Sequence, residues 1–171
     1  MPRDYLIAID PGTKESGVCI VRTEDCRPLW VSKLENSVLY EHTLEQMEKI
    51  GDDILDFELV IERMQGNGMS VSSDVFLTCE WIGRFDCLFS TLLMKNTSYV
   101  YRREEYKDLC SNIYSRNDAG IRSALVDRFA YGMANFGKGN KQNPGWFYGF
   151  GKDMWSAYAI AVTHLDKVLE G

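Results

Sequence analysis

No apolar run in this 171-residue chain approaches the roughly 20 residues that span a bilayer, and no basic-then-apolar segment opens it. A membrane partner is therefore not expected. Histidine is scarce, with His42 and His164 alone, so chemistry built on imidazole clusters has little material. The five cysteines (Cys19, Cys26, Cys79, Cys87 and Cys110) form an odd set without a CxxC pair. That excludes a disulfide framework and a thiolate zinc site, and it fits a reducing, cytoplasmic setting. Proline is also sparse, and no Pro/Gly/Ser-rich linker or internal repeat divides the sequence, so one domain over residues 1–171 is expected. Low-complexity disorder is excluded by a composition 45% hydrophobic and 26% charged.

The excess charge is negative, at −6, which by itself disfavours a polyanionic partner. Its distribution reverses that reading. Between Lys95 and Lys152 ten basic residues stand against five acids, and the remainder is strongly acidic. A local basic field of this kind can bind phosphate against an unfavourable total.

Hydrophobic patterning gives the architecture. Tyr5–Ile9 is a nearly continuous apolar run, as in a strand buried on both faces, and Asp10-Pro11-Gly12-Thr13 breaks it with turn chemistry. Gly17–Val21 and Leu29–Ser32 read as second and third strands in antiparallel succession. A helical stripe over Thr43–Leu55, with Thr43 as N-cap, precedes a strand from Phe57 to Ile61 that ends at Glu62. A long helix over about 72–94, a short strand at 99–101 and helices over 105–112 and 118–136 follow, Asp118 capping the last. Five glycines and Pro144 make 137–151 an irregular loop, and 153–169 is the closing helix. The result is an α/β domain with a mixed sheet.

Two acids end apolar strands: Asp10 after Tyr5–Ile9, and Glu62 after Leu59-Val60-Ile61. A buried, unpaired carboxylate costs several kcal/mol, a penalty that a cation removes. Asp153 adds a third acid at the start of a helix whose Ala157, Ile160 and Ala161 face the sheet. An oxygen-only trio suits a hard cation, magnesium first and manganese as the alternative. Taken singly, each acid has a plainer role as turn or cap former; together they favour metal.

Ala8-Ile9-Asp10-Pro11-Gly12-Thr13 with Ser16-Gly17 resembles the opening motif of the RuvC-type Holliday junction resolvases. Leu59–Met64 resembles their second acidic strand, and Lys152–Ala161 their terminal helix, most closely in the phage-encoded branch. Asp118–Arg122 and Asn143-Pro144-Gly145 fit the same branch. The resemblance implies an RNase H-like fold, here a five-stranded mixed sheet flanked by helices. It also implies a divalent-metal nuclease, a homodimer, and branched DNA such as four-way junctions as partner. Asp10, Glu62 and Asp153 are then the catalytic, metal-holding acids, Asp10 bridging. The family commonly has another acid where this chain has Ser156. A hydroxyl one helical turn from Asp153 would stand in as metal ligand, or turnover would fall.

Met64-Gln65-Gly66-Asn67-Gly68-Met69 directly follows Glu62. Its glycines allow close backbone approach and its methionines are adaptable, so Met64, Gln65 and Met69 either press on bases at a junction centre or belong to a flexible loop whose methionines fold back onto the core. Arg102, Arg103, Lys107 and Arg122 are candidate phosphate contacts, and Lys138 and Lys141 add charge beside Trp146, Phe147 and Tyr148. Two alternatives stay open. One is a branched-DNA binding module of the same fold with impaired catalysis. The other is an actin-like or sugar-kinase ATPase, whose phosphate hairpin also begins Asp-x-Gly-Thr but which needs a second such domain.

Overall fold

The computed structural model describes residues 3–66, 68 and 70–171. Three strands come first: β1 (Tyr5–Asp10), β2 (Glu15–Arg22) and β3 (Arg27–Glu35). Helix α1 (Asn36–Ile50) leads through a short 3₁₀ turn to β4 (Phe57–Glu62). Helix α2 (Ser73–Leu93), strand β5 (Ser98–Val100), and helices α3 (Arg102–Asp108), α4 (Asp118–Ala130) and α5 (Lys152–Glu170) complete the chain. The five strands form one mixed sheet in the order β3-β2-β1-β4-β5. β1 runs antiparallel to β2 and parallel to β4, as the crossover through α1 requires.

Side chains alternate across the central strands and build two cores. Leu6, Ala8, Cys19, Val21 and Val60 face α4 and α5, while Ile7, Ile9, Val18, Ile20, Leu59 and Ile61 face α1 and α2. That is why β1 reads as unbroken apolar sequence: both of its faces are covered. α5 lies flat on the sheet because Ala157, Ala159 and Ala161, all fully buried, keep its axis close. Over its first half, Phe147 and Phe150 pack edge-on or tilted against each other and against Trp155 and Tyr158, with ring centroids 4.5–5.6 Å apart. The five cysteines are all unpaired, and among the described residues no helix is long and apolar enough to cross a membrane.

Several boundaries differ from expectation, each for a local reason. α1 begins at Asn36, so Thr43 lies within it and donates from Oγ1 to the Leu39 carbonyl (2.7 Å) rather than capping. The cap of α4 is Asn117, whose Oδ1 accepts from the Gly120 amide (2.9 Å), and Asp118 is the first helical residue. α4 stops at Ala130 because Gly132 turns into the left-handed region (φ 70°), six residues short of the expected end. α3 begins three residues early, directly after β5.

The buried Tyr158 hydroxyl accepts from Trp146 Nε1 (3.0 Å) and donates to the Cys26 carbonyl (2.8 Å), tying α5 to the 137–151 loop and the β2–β3 turn. Tyr158→Phe strands both partners, and we expect a loss of about 1–3 kcal/mol in urea unfolding with the fold retained.

Candidate active site

β1 and β4 pair in parallel with Ile9 opposite Ile61, so the next residue of each, Asp10 and Glu62, emerges at the same sheet edge. Their carboxyls are close enough to share a hydrogen bond. Burial first, then the charge of Glu62 and the bond to it, push the Asp10 carboxyl well above its ordinary range, and Asp153 adds to the shift. Glu62, only 9% exposed, is also raised, again mainly by burial, with Arg102 opposing. Two carboxylates here cannot both ionise cheaply.

Asp153 reaches this edge through a glycine. The β1–β2 register places Gly17 opposite Asp10, and a side chain at Gly17 would run into the backbone carbonyl of Asp153. The bare backbone at Gly17 lets the first turn of α5 descend onto β2, where Asp153 shares a hollow with Asp10 and Lys33. Lys33 Nζ holds Asp153 Oδ2 at 2.8 Å and Glu15 Oε2 at 3.3 Å. The loop between β1 and β2 is fastened from below. Ser16 Oγ accepts from the Gly12 amide (3.1 Å) and donates to Asn36 Oδ1 (2.6 Å), while Asn36 Nδ2 donates to the Gly12 carbonyl (2.9 Å).

On the opposite flank stands Arg102. Its Nη1 meets Glu105 Oε2 at 2.9 Å, its Nε lies 3.6 Å from Glu62 Oε1, and its Nη2 lies 3.9 Å from Asp118. Burial opposes its charge, but Glu105, then Glu62 and Asp10, more than offset this and raise the guanidinium pKa. Glu105 is fully buried with Oε1 unpartnered, and burial pushes its carboxyl up to about 7 despite Arg102.

The remaining expected residues divide between two cavities that share Arg102. One, next to Glu62, is lined by Met64, Gln65, Arg102 and Arg103. The other holds Arg122, Lys138 and Ser156. Ser156 thus faces the Arg102–Lys138 side and not the hollow of Asp10 and Asp153, although it follows Asp153 by one turn. Lys107 is exposed on α3, and Lys141 is exposed at an Asx turn where Asn140 Oδ1 accepts from the amides of Gln142 and Asn143. Met69 lies outside the described residues. His164 faces Glu58 (3.6 Å). Lys33, Glu105 and the Ser16–Asn36 latch escaped the sequence reading. The Arg102/Glu105 spacing of three was the one available signal for Glu105, and nothing in it separates Glu105 from Glu104.

Among the described residues, no three His, Cys, Asp or Glu side chains come together as a ready metal cluster. The donor set nevertheless fits a hard divalent cation. It is all oxygen, the Asp10 and Glu62 carboxyls are crowded together with both pKa values raised, and Asp153, whose charge is felt at Asp10, is neutralised by a displaceable lysine.

The strand order and flanking helices define the RNase H-like fold in the form found in RuvC. Two solved structures similar to the chain are that of T. thermophilus RuvC in complex with Holliday junction substrate and that of Thermus thermophilus RuvC alone. The first has a TM-score of 0.68 at 12% identity, covering 98% of this chain and 96% of that one. The second has a TM-score of 0.65 at 12% identity, covering 97% and 96%. No protein-family model matches the sequence, and no curated protein matches it.

Glu105 supplies a pH prediction. Its folded pKa of about 7 lies above the unfolded value of 4.5, so the folded state holds the extra proton and its contribution is fully present below pH 4.5. Stability from this group falls as pH rises from 4.5 through 7. Glu105→Gln is expected to flatten the loss of stability between pH 5 and 8, measured by urea unfolding across that range.

Proposed function

We propose that the chain is a divalent-metal-dependent, structure-selective DNA endonuclease that resolves four-way junctions and other branched DNA by phosphodiester hydrolysis. The observation that carries this reading is the buried pair Asp10–Glu62 at the ends of two adjacent parallel strands, within a fold shared along nearly the whole chain with RuvC. The solved structure of that neighbour contains Holliday junction DNA, which supports the choice of substrate class.

Asp10, Glu62 and Asp153 are the residues that would hold magnesium, or manganese in its place. When bound, the metal supplies activation of water and stabilisation of the leaving 3′ oxygen. The chain's own groups do the rest. Because the carboxyls of Asp10 and Glu62 are both raised, holding a divalent cation there would displace protons and would weaken as pH falls. Lys33 releases Asp153 and keeps Glu15 as its partner. Arg102, fixed by Glu105, balances Glu62 and presents its remaining N–H groups to phosphate. Met64, Gln65 and Arg103 line the cavity of about 450 Å³ beside Glu62, the place for strands diverging from a branch point. Lys107 and Lys141 extend the phosphate-binding surface, and a homodimer would bring two such sites to the two strands cut.

A binding module with impaired catalysis is the second reading, favoured by the position of Ser156 outside the Asp10–Asp153 hollow and by the grip of Lys33 on Asp153. Nicking of a labelled four-way junction with magnesium or manganese separates the two. The endonuclease cuts in at least one metal, and the module binds and never cuts.

Two substitutions test the roles. Asp10→Asn is expected to abolish cleavage, by at least about a hundredfold, while junction affinity in a gel-shift assay stays within about threefold; retained cleavage removes Asp10 from the site. Arg103→Glu, at an exposed position, is expected to weaken junction binding and to reduce its salt dependence, and an unchanged slope of affinity against salt would remove Arg103 from the interface.

A further inference from the structure

Between the starts of α4 and α5 lies a cavity of about 260 Å³ walled by Arg102, Arg122, Lys138, Lys152 and Trp155, with Asp118 as its one acid. Arg102 is engaged by carboxylates. Among the described residues Arg122, Lys138 and Lys152 make no ion pair. The Arg122 guanidinium rests against two rings instead, 4.9 Å from the centroid of Phe136 and 5.2 Å from that of Trp155.

The backbone at Phe136 is unusual. Asn135 (φ 53°) and Phe136 (φ 54°) are consecutive non-glycine residues in the left-handed region. That conformation is costly for residues with a side chain, and where it persists it concentrates at ligand clamps and reactive sites. The Phe136 side chain is 62% exposed, while the adjoining Gly137 is buried against Ala130 and Phe147. The exposed Phe136 ring lies outside the cavity's lining and reaches it through Arg122, a lining cation with no carboxylate partner.

We propose that this cavity and the exposed Phe136 ring beyond Arg122 together take one unpaired nucleotide of a DNA strand, its phosphate among Lys138, Lys152 and Arg102 in the cavity and its base stacked on Phe136. A site for backbone phosphate alone has no use for an exposed ring. A purely apolar pocket has no use for four cations. A nucleotide needs both surfaces together, and stacking accepts any base because every base has a π face. Arg102 connects the cavity to Glu62 at 3.6 Å, so the nucleotide held here neighbours the phosphate that would be cut. The inference rests on the endonuclease reading for the identity of the strand, and it adds to that reading a place for an extruded base, as enzymes that unstack nucleotides require.

The test uses the full chain without metal, titrated by fluorescence anisotropy with a short labelled oligothymidylate and with the same backbone carrying abasic units. The wild-type chain is expected to bind the base-bearing strand about tenfold more tightly, in the range that stacking of a single base contributes. Phe136→Ala, at an exposed position, should bring the two strands to equal affinity, Phe136→Trp should keep the preference, and Arg122→Lys should lower it while keeping the charge. Equal affinity of the wild-type chain for both strands, binding of neither, or a preference undiminished in Phe136→Ala overturns the proposal. Junction nicking with magnesium is scored separately. A chain that prefers the base-bearing strand yet never cuts keeps the nucleotide pocket and refutes the nuclease, whereas a chain that cuts with no such preference refutes the pocket alone.

Discussion

Placing Asp10 and Glu62 side by side at the ends of β1 and β4 is the constraint around which the rest of the structure is arranged. Two unit charges 4 Å apart repel by about 4 kcal/mol even at an effective dielectric of 20, a large fraction of a domain's net stability. Moving either acid one residue along its strand would turn it into an apolar core, where the cost is greater. The chain therefore keeps both acids at the rim. Crowding and burial raise both carboxyls, and a guanidinium is brought to Glu62. On the proposed reading, a divalent cation would relieve the crowding that the pair creates.

The cations already present are fixed to unequal degrees. Arg102 is anchored by Glu105, a fully buried acid whose second oxygen finds no partner, so its position is specified at a cost to the fold. Lys33 is held only by surface carboxylates, and exposed pairs of that kind contribute little and exchange readily. Asp153 is thus the acid freest to change partners, while Glu62 keeps its arginine. The geometry of the third acid depends on Gly17 in turn, since only a residue without a Cβ lets α5 meet β2 so closely.

Much of this was legible from the chain. The unbroken apolar run of β1, its turn at Asp10-Pro11-Gly12 and the repeat of the pattern at Glu62 fixed the sheet and its acidic edge, because burial on both faces leaves a plain compositional trace. The small residues of α5 likewise marked the helix that lies on the sheet. The start of α1 was not legible, since its first two turns follow β3 without a break and carry no N-cap side chain. The partners of the acids were not legible either. Lys33 and Asp153 are far apart along the chain, and the difference between Glu104, which accepts from the Tyr101 amide, and buried Glu105 is one of helical phase. Ser156 was expected beside Asp153 from spacing alone, but one turn of a helix seated against a sheet is enough to place the two in different cavities.

A chain of net charge −6 can still approach a polyanion, provided that its acids and bases lie on different sides. Exposed Glu41, Glu45 and Glu48 follow α1, on the face of the sheet away from α4 and α5, and Asp52 and Asp53 continue the series beyond its end. Arg103, Lys107, Lys138, Lys141 and Lys152 lie on the α3–α5 side, on elements next to the acidic edge. Long-range attraction and repulsion then act in the same sense, turning α1 away from a phosphate backbone and the Asp10–Glu62 edge toward it. On the proposed reading, the field close in at that edge would stay negative until a divalent cation is bound. Metal and DNA would therefore each favour the other's binding, because the acids that repel phosphate when bare become part of the surface that attracts it once their charge is balanced.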